Sequence, residues 1–383
     1  MTLAAAVGLA SSGMLACPKA RAGIWSTTPE LSASGEYSTN PQLIPGQSQS
    51  GSALVANLGA PFGWYDEAHQ VEFGLRARIA EATGSSPIGH DAYYGSFSAK
   101  TDYERGSVGL AVHWADDSAA VVSSPAAGTL TRLDIGERST DASLNASYSF
   151  TSRLQNTFGA YGQSQHYAFL PGSGLYDYQY AAATDTLQES LTLRTQLQLA
   201  LAYSSYTAPD LNYSENSESV ELGWQQALTE RWSYSLLFGR SKADSPEFVT
   251  RTYGTVYAGT LVFKGERTAL SASLTQSFQP SGFGALTLSR EATLRGDFNK
   301  TERVSGYVAL RSVRTTDTLS VLAFTGRSYQ SLTAGLNWAA TEKWDVTLSA
   351  NWQRQKIDLG DQSANGTGVL LSGVRKFGRV PLG

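Results

Sequence analysis

The chain has 383 residues, of which 16% are charged, and its formal net charge at pH 7 is -4. Ordinary soluble domains carry about 25% charged residues, so this chain is poor in charge. The sequence contains no run of basic residues, which argues against a nucleic-acid-binding surface. It also contains no stretch of about 18 apolar residues, which excludes a conventional membrane-spanning helix.

The first 22 residues predict a signal peptide. Residues 3–16 form a short apolar run, and Ala20-Arg21-Ala22 supplies a cleavage site of small residues. The predicted mature chain therefore comprises residues 23–383 as one domain. An alternative makes Cys17 a lipidated cysteine, although Met14-Leu15-Ala16-Cys17 matches such a site poorly. Cleavage after residue 22 removes the only cysteine, which suits an exported protein.

Alternation of apolar and polar residues recurs along the mature chain. Successive side chains of a β-strand point to opposite faces, so each alternating run predicts a strand with one apolar and one polar face. The clearest apolar faces, in chain order, lie in 71–79, 108–114, 193–203, 220–224, 232–238 and 344–352. Because half of each strand is polar, the mean hydropathy of -0.23 does not argue against a membrane barrel.

Residues 344–352 show the pattern most clearly. Trp344, Val346, Leu348, Ala350 and Trp352 share one face and alternate with polar residues. Aromatic residues at both ends of an apolar face, with aliphatic residues between them, are typical of a strand that crosses a bilayer. A soluble β-sandwich also alternates, but it rarely has so many long strands of this kind. The sequence therefore favours an all-β transmembrane barrel.

Short polar turns and longer loops separate the predicted strands. Eight short turns are predicted at 65–67, 102–105, 151–153, near 189–190, 229–231, 264–267, 299–303 and 341–343. Nine longer loops are predicted at 38–51, 82–90, 116–139, 167–177, 207–216, 243–251, 279–284, 315–326 and 356–366. This asymmetry, and an even strand number, characterise outer-membrane barrels. We therefore predict an antiparallel up-and-down barrel of about 18 strands in the cell outer membrane.

The polar faces supply the residues expected to line the lumen. The candidate pore-lining residues carry both signs of charge: Glu72, Arg76, Arg78, Arg194, Glu221, Glu291, Arg295, Arg311 and Asp345. Such residues tune which solutes pass, but pairs of opposite charge could instead brace the wall. The expected membrane-interface girdle is Trp224, Trp232, Trp338, Trp344 and Trp352. The tyrosine-rich run 176–180 could stack on sugars or belong to a girdle and loop.

Catalytic and metal-binding motifs are missing from the sequence. The four histidines are His69, His90, His113 and His166, and none lies in a His-Glu-x-x-His or comparable motif. No Gly-x-Ser-x-Gly motif supports a serine nucleophile. Asp358, Asp361 and Asn365 lack calcium-loop spacing and predict an extracellular turn. The sequence thus predicts a protein that is not an enzyme, with no cofactor and no metal.

Residues 31–43 carry a resemblance to a known family. They resemble the opening of an outer-membrane β-barrel porin family found beside exopolysaccharide export genes, whose first strand ends in Tyr-Asp-x-Asn. Here Tyr37-Ser38-Thr39-Asn40 has Ser in place of Asp. The resemblance covers about residues 24–377 and implies an 18-strand-like pore that lets a polysaccharide cross the outer membrane. It also implies a terminal aromatic residue, a role that suits Phe377.

The main functional prediction is a passive conduit for exopolysaccharide export, which depends on that resemblance alone. A general or small-solute porin is the alternative that an inward-folded loop would favour. A barrel enzyme would need a histidine and an acid or serine to converge near the outer rim, and a closed structural barrel would not conduct. The expected partners are outer-membrane lipid and lipopolysaccharide, the barrel-insertion machinery and polysaccharide export components, with no nucleic acid.

Overall fold

A computed structural model describes most of the predicted mature chain. It covers residues 23–46, 49–84, 91–118, 135–168, 174–246, 250–317, 326–358, 362–378 and 380–382. The predicted signal peptide, residues 1–22, lies outside these ranges and stays a prediction. Within these ranges no helix has the length and apolar character needed to cross a membrane.

The described residues form 20 strands in one sheet. In chain order the strands are β1 (Ile24–Thr27), β2 (Glu30–Thr39), β3 (Ser50–Tyr65), β4 (His69–Gly84), β5 (Ala92–Tyr103), β6 (Gly106–Ser118), β7 (Gly136–Ser149), β8 (Leu154–Tyr167), β9 (Tyr178–Thr192), β10 (Thr195–Ala208), β11 (Tyr213–Ala227), β12 (Trp232–Ser245), β13 (Thr250–Lys264), β14 (Thr268–Pro280), β15 (Leu286–Asn299), β16 (Val304–Asp317), β17 (Arg327–Ala339), β18 (Trp344–Ile357), β19 (Gln362–Lys376) and β20 (Val380–Leu382). Each strand from β2 to β18 pairs antiparallel with the next, and β19 pairs with β2. The predicted closed 18-strand antiparallel barrel is confirmed.

The barrel closes at the seam between β2 and β19, and two short strands extend this seam. The seam pairs Thr367 with Thr39 at one end and Lys376 with Glu30 at the other. Beyond it, β20 pairs with β1, and β1 also pairs with β3. The last long strand therefore ends at Lys376, immediately before Phe377, and the residues that follow return along the N-terminal strand.

Side chains of the same type, threonine, shape four of the short turns. In each of them a threonine hydroxyl accepts hydrogen bonds from the backbone N–H groups two and three residues later, at 2.9–3.2 Å. Threonine and serine commonly stabilise turns in this way. The four threonines are Thr151, Thr229, Thr301 and Thr341. Each of them lies in one of the short turns that the sequence predicted, at one end of the barrel.

The turn predicted near residues 189–190 was wrong. Glu189 and Ser190 lie within β9, and the hairpin turns at residues 193–194, where Thr192 Oγ1 accepts from Arg194 N at 3.1 Å. Consequently Leu193 does not face lipid from a strand, and Arg194 does not lie on a strand that lines the lumen. The alternation of Gln188 and Ser190 on the polar face continues the strand past the predicted turn.

The strands extend further into the long connections than the sequence indicated. The connection predicted at 207–216 contains only residues 209–212, and the one predicted at 243–251 contains only 246–249. Likewise Asn365 and Gly366 lie in β19 rather than in a turn. Above the membrane both faces of a strand are polar, so alternation disappears although the hydrogen-bonded ladder continues.

The outward face carries the apolar belt. Leu54, Leu75, Leu222 and Leu348 are exposed side chains on this face, each about half exposed or more. The belt is flanked by aromatic residues near both strand ends, as in outer-membrane barrels. Near the short turns these include Tyr103, Tyr148, Trp232, Phe298, Trp338, Trp344 and Phe377; toward the long connections they include Tyr37, Tyr93, Trp114, Tyr203, Tyr253 and Trp352.

Candidate functional site

The candidate functional site is the lumen enclosed by the inward faces of the strands. Barrels of 16–18 strands are wide enough to leave an aqueous channel. We call the half next to the short turns the inner half and the half next to the long connections the outer half. By strand alternation, eight of the nine candidate pore-lining residues lie on inward faces: Glu72, Arg76, Arg78, Glu221, Glu291, Arg295, Arg311 and Asp345. Only Arg194 lies in a turn.

Ion pairs exposed to the lumen characterise the inner half. Arg295 Nη2 lies 2.7 Å from Asp297 Oδ1, and the two side chains are 49% and 42% exposed. Lys100 pairs with Asp102 at 2.9 Å, and Lys376 pairs with Asp345. Exposed ion pairs contribute about 0–1 kcal/mol each to folding stability. These pairs therefore mainly cancel charge on the lumen wall.

Three other predicted residues lie elsewhere along the wall, with Glu72 close to a short turn and Arg76 and Glu221 nearer the middle of their strands. Glu72 accepts a 2.6 Å hydrogen bond from the Tyr65 hydroxyl, and Glu221 accepts one of 3.1 Å from the Ser219 hydroxyl. The Arg76 guanidinium carbon lies 4.0 Å from the centroid of the Tyr94 ring, which permits a cation–π interaction. Each of these three charged side chains thus has a polar or aromatic neighbour on the wall.

Glu291 and Arg311 form a two-point ion pair between β15 and β16. Arg311 Nε donates to Glu291 Oε1 at 2.8 Å, and Arg311 Nη2 donates to Oε2 at 3.0 Å. Two parallel hydrogen bonds of this kind fix the orientation of the two groups and bind the carboxylate more strongly than one bond does. The pair therefore braces two adjacent strands.

A buried ion pair lies in the outer half of the lumen. Arg78 on β4 donates to both oxygens of Asp117 on β6, at 2.5 and 2.7 Å, and the side chains are only 6% and 0% exposed. The Tyr94 hydroxyl and the Ser118 backbone N–H also donate to Asp117. Four donor contacts thus compensate the burial of this carboxylate, as buried charge requires.

The connection between β14 and β15, residues 281–285, folds into the outer half. The Tyr206 hydroxyl on β10 donates to Ser281 O at 2.8 Å, and Tyr176 N donates to Gly282 O at 2.7 Å. Leu286 N, where β15 begins, donates to Glu215 Oε2 on β11 at 3.2 Å. Because three strands lie between β10 and β14, and two between β11 and β14, this 281–285 loop crosses part of the lumen.

An aromatic cluster holds the 281–285 loop in place. Ala285 and Leu286 are buried against inward side chains of β9, β10 and β11, and the Tyr178 and Tyr206 rings stack with centroids 5.5 Å apart. Tyr178 was predicted to take part in sugar stacking or in a girdle and loop. It instead lies inside the barrel, where it is buried. The remaining members of the cluster are Ala208 and Tyr213.

Two further contacts fix the path of the 281–285 loop. Phe283 lies under the Arg327 guanidinium of β17, with 4.2 Å between the guanidinium carbon and the ring centroid. Gly284 has a φ of +88°, and a Cβ at this position would lie 2.2 Å from Leu211 Cδ1. Only glycine fits such a conformation and such a close approach. The loop therefore reaches from the β9–β11 wall to β17.

The connection between β2 and β3 also folds inward, at residues 40–46. Asn40 has a φ of +46°, and its side chain bonds both ends of the turn: Nδ2 donates to Ile44 O and Asn365 O at 3.2 Å, and Oδ1 accepts from Ile44 N at 3.1 Å. Asparagine tolerates the left-handed region and closes turns by such bonds. The side chain that completes the Tyr37–Asn40 motif therefore shapes this 40–46 loop.

Leu43 carries the 40–46 loop to the opposite side of the seam. Its side chain is buried against Val313 of β16, Tyr329 of β17 and Ala364 of β19. A Cβ at Gly366 would approach the carbonyl oxygens of Thr39 and Asn40 to 2.7 and 2.9 Å, so glycine is needed where the loop leaves the wall. The 40–46 and 281–285 loops thus both end on β17, at Tyr329 and Arg327.

The histidines do not form a catalytic group among the described residues. His113 lies on the inward face of β6, whereas His166 lies on the outward face of β8 and bonds Asp177 at 2.8 Å. His69 begins β4 beside Trp64, with ring centroids 6.3 Å apart, and His90 lies outside the described residues. In the same ranges no three acidic, histidine or cysteine side chains gather as a metal site.

The five predicted girdle tryptophans all lie on the outward face and are exposed. Trp224, Trp232, Trp338 and Trp344 lie near the short turns, and Trp352 lies eight residues further along β18. Trp232 packs on Phe263 with ring centroids 4.8 Å apart. The indole groups therefore lie at both ends of the apolar belt, and their role at a membrane interface stays a prediction.

Comparison with solved structures finds the same architecture in Pseudomonas aeruginosa. OccK2 (OpdF) matches with a TM-score of 0.52 and 10% identity, over 92% of this chain and 98% of that chain. OpdO matches with a TM-score of 0.51, 10% identity and the same coverage. Both belong to the OprD/Occ outer-membrane porins with 18-strand barrels. This chain shares their closed 18-strand antiparallel barrel fold.

Sequence comparison adds no closer relative. No family model matches the chain, and no curated protein is recognisably similar to it in sequence. At about 10% identity the structural likeness shows the fold alone. The association with exopolysaccharide export, which came from residues 31–43, finds no support in these comparisons. The structural neighbours are channels rather than enzymes.

Sequence reasoning missed the two inward loops and the tyrosine cluster that holds one of them. Alternation gives the direction of Tyr178, Tyr206 and Tyr213 only once the strands are known to extend to those positions. The 281–285 loop contains Gly284, and the 40–46 loop begins with the Asn-Pro pair at residues 40–41. Both are turn signals, but neither says whether a loop folds into the barrel or away from it.

Proposed function

We propose that this protein is a diffusion channel for small polar solutes across the outer membrane. The observation that carries the proposal is the pair of inward loops, 40–46 and 281–285, which pack inside the outer half of the lumen and both contact β17. An inward-folded loop narrows the path available to a solute. A polysaccharide conduit needs an open path for a chain, so the loops favour the small-solute alternative.

The chemistry of the wall supports a preference for polar solutes of modest charge. The inner half presents ion pairs whose charges cancel locally, such as Arg295 with Asp297 and Lys376 with Asp345. Hydroxyl and amide groups occupy many of the other inward positions, including Ser271, Thr293, Asn337 and Gln353. One structural neighbour, OccK2, was solved in complex with glucuronate, which makes that acidic sugar a useful probe.

Liposome swelling with solutes of increasing size tests the proposal directly. The refolded chain from Gly23 should admit monosaccharides quickly, disaccharides slowly and large neutral polymers not at all. Replacement of Phe283 by alanine, which removes the contact with Arg327, should raise the rate for disaccharides. Phe298→Ala, which changes the same residue type on the outward face, is the matched control and should leave the rates unchanged.

Passage of a long polysaccharide would overturn the proposal in favour of the export conduit. A planar-bilayer measurement separates the two functions further, because a polymer that enters the channel interrupts its conductance for long periods. A folded barrel that admits no solute at any size would instead indicate a closed structural barrel.

A further inference from the structure

Five adjacent strands, β15–β19, carry successive rows of cross-strand partners on the outward face. On β15–β19 the cross-strand partners Phe298, Gly306, Leu336, Leu348 and Leu371 form one apolar row near the short turns. Two outward-facing rows separate this row from one that contains Ser312, Gln330 and Arg354; the nearer of them to that polar row contains Leu294, Leu310, Leu332 and Trp352. Polar side chains thus begin immediately beyond Trp352, where the apolar belt ends.

Four cations gather beyond this boundary. Arg290 and Arg314 are direct cross-strand partners, Lys356 lies in the same row, and Arg354 lies one row closer to the membrane. The three arginines are exposed, and Arg290 Nε donates to Gln276 Oε1, which fixes its guanidinium against the wall. We call these four residues the outer basic patch. Of the described outward residues around it, Asp358 alone is acidic, 3.7 Å from Arg314.

The arrangement differs from two other parts of the outer rim. On β6 and β7, Arg138 lies 2.9 Å from Asp116, and on β12 Lys242 lies 3.4 Å from Asp244. Those cations are balanced by an acid on the same or the next strand. Like charges directly opposite each other on adjacent strands are destabilising, so the opposed Arg290 and Arg314 favour an anion that binds between them.

We propose that the outer basic patch binds the phosphates of lipid A, the membrane anchor of lipopolysaccharide in the outer leaflet. Guanidinium groups bind phosphate through paired donors, and three arginines on neighbouring strands match a headgroup that carries more than one phosphate. The patch lies where phosphates of the outer leaflet lie, at the edge of the apolar belt. Leu294, Leu310 and Leu332, two residues or more below the patch on β15–β17, offer a surface for the acyl chains.

Binding of purified lipid A to the full mature barrel in detergent, followed by native mass spectrometry, tests this proposal. Bisphosphorylated lipid A should bind the wild-type barrel and should bind the Arg290→Gln/Arg314→Gln/Arg354→Gln variant at least tenfold more weakly. Lipid A without phosphates should bind both barrels weakly and equally. Inorganic phosphate at millimolar concentration should compete poorly, because it lacks the acyl chains.

The control is Arg138→Gln/Lys242→Gln, which removes two outward cations that have acidic partners 2.9 and 3.4 Å away and should leave binding unchanged. Equal loss in control and patch variants would show that general surface charge attracts the lipid, and would overturn the site. Unchanged binding by the triple variant would overturn it as well. Heat-modifiable migration on gels confirms that each barrel is folded, and solute permeation is measured separately, since this site does not depend on the proposed function.

Discussion

The outer and inner halves of the lumen are built from the same strands but differ in burial. In the outer half, charged side chains such as Arg78 and Asp117 are almost fully buried; in the inner half, Arg295 and Asp297 are about half exposed. Both pairs occupy inward positions set by the same alternation. Asp117 is enclosed by Arg78, the Tyr94 hydroxyl and the Ser118 N–H, and elsewhere in the outer half the 40–46 and 281–285 loops cover inward side chains. Strand pattern therefore decides which way a side chain points, and the groups that pack against it decide whether it meets water.

The largest expected effect is on the buried pair of the outer half. Arg78→Ala leaves the Asp117 carboxylate buried without its main partner, and breaking a buried pair in this way costs about 3–5 kcal/mol. Equilibrium unfolding of the barrel from lipid vesicles by guanidinium chloride measures the change. Arg295→Ala in the inner half removes an exposed pair and should cost less than about 1 kcal/mol. Similar costs at both positions would refute the distinction between the halves.

A second comparison separates the inward and outward faces of one strand. Leu348→Arg places a charge on the apolar belt of β18 and should reduce folding stability by about 2–4 kcal/mol near the bilayer midplane. The neighbouring Ser349 faces the lumen, where an arginine can be hydrated, so Ser349→Arg should be tolerated. Folding yield into vesicles is the measurement, and equal damage at the two positions would show that the faces are misassigned.

A smaller effect is expected at Asn40, which shapes the 40–46 loop. Asn40→Ala removes three hydrogen bonds, and it places alanine at a φ of +46°. Three neutral hydrogen bonds are together worth about 1.5–4.5 kcal/mol, and because all three are only partly buried we expect a loss near the lower end of that range. The released loop should also increase fluctuations of single-channel current. Asn40→Asp keeps the acceptor and should fall between the wild type and Asn40→Ala; steady wild-type current in both variants would argue against a constriction there.

The smallest effect on stability, with a distinct effect on transport, is expected in the inner half. Asp297→Asn leaves Arg295 with a neutral neighbour at an exposed position, so stability should change by less than about 1 kcal/mol. The reversal potential in a salt gradient should shift toward anion selectivity, because one negative charge is removed from the lumen. Asp185→Asn, which changes an outward carboxylate on β9, serves as the control. An equal shift in both variants would mean that Asp297 does not act through the lumen.

The amino-acid sequence by itself determined the wall of this protein. Alternation over residues 344–352, short polar turns such as 229–231 and 341–343, and tryptophans at strand ends are local signals that can be read from neighbouring residues alone. They were enough to predict the 18-strand barrel. The prediction failed at Arg194, where a weak turn signal displaced the hairpin by a few residues.

Only the tertiary structure decided what happens inside that wall. The contacts of Tyr206 with Ser281, Phe283 with Arg327, and Leu43 with Tyr329 join residues between 44 and 286 positions apart in sequence. Such contacts depend on closure of the sheet, which brings distant strands to face each other across the lumen. Local pattern carries no record of that closure, so a loop that folds inward and a loop that folds outward have the same signature in the sequence.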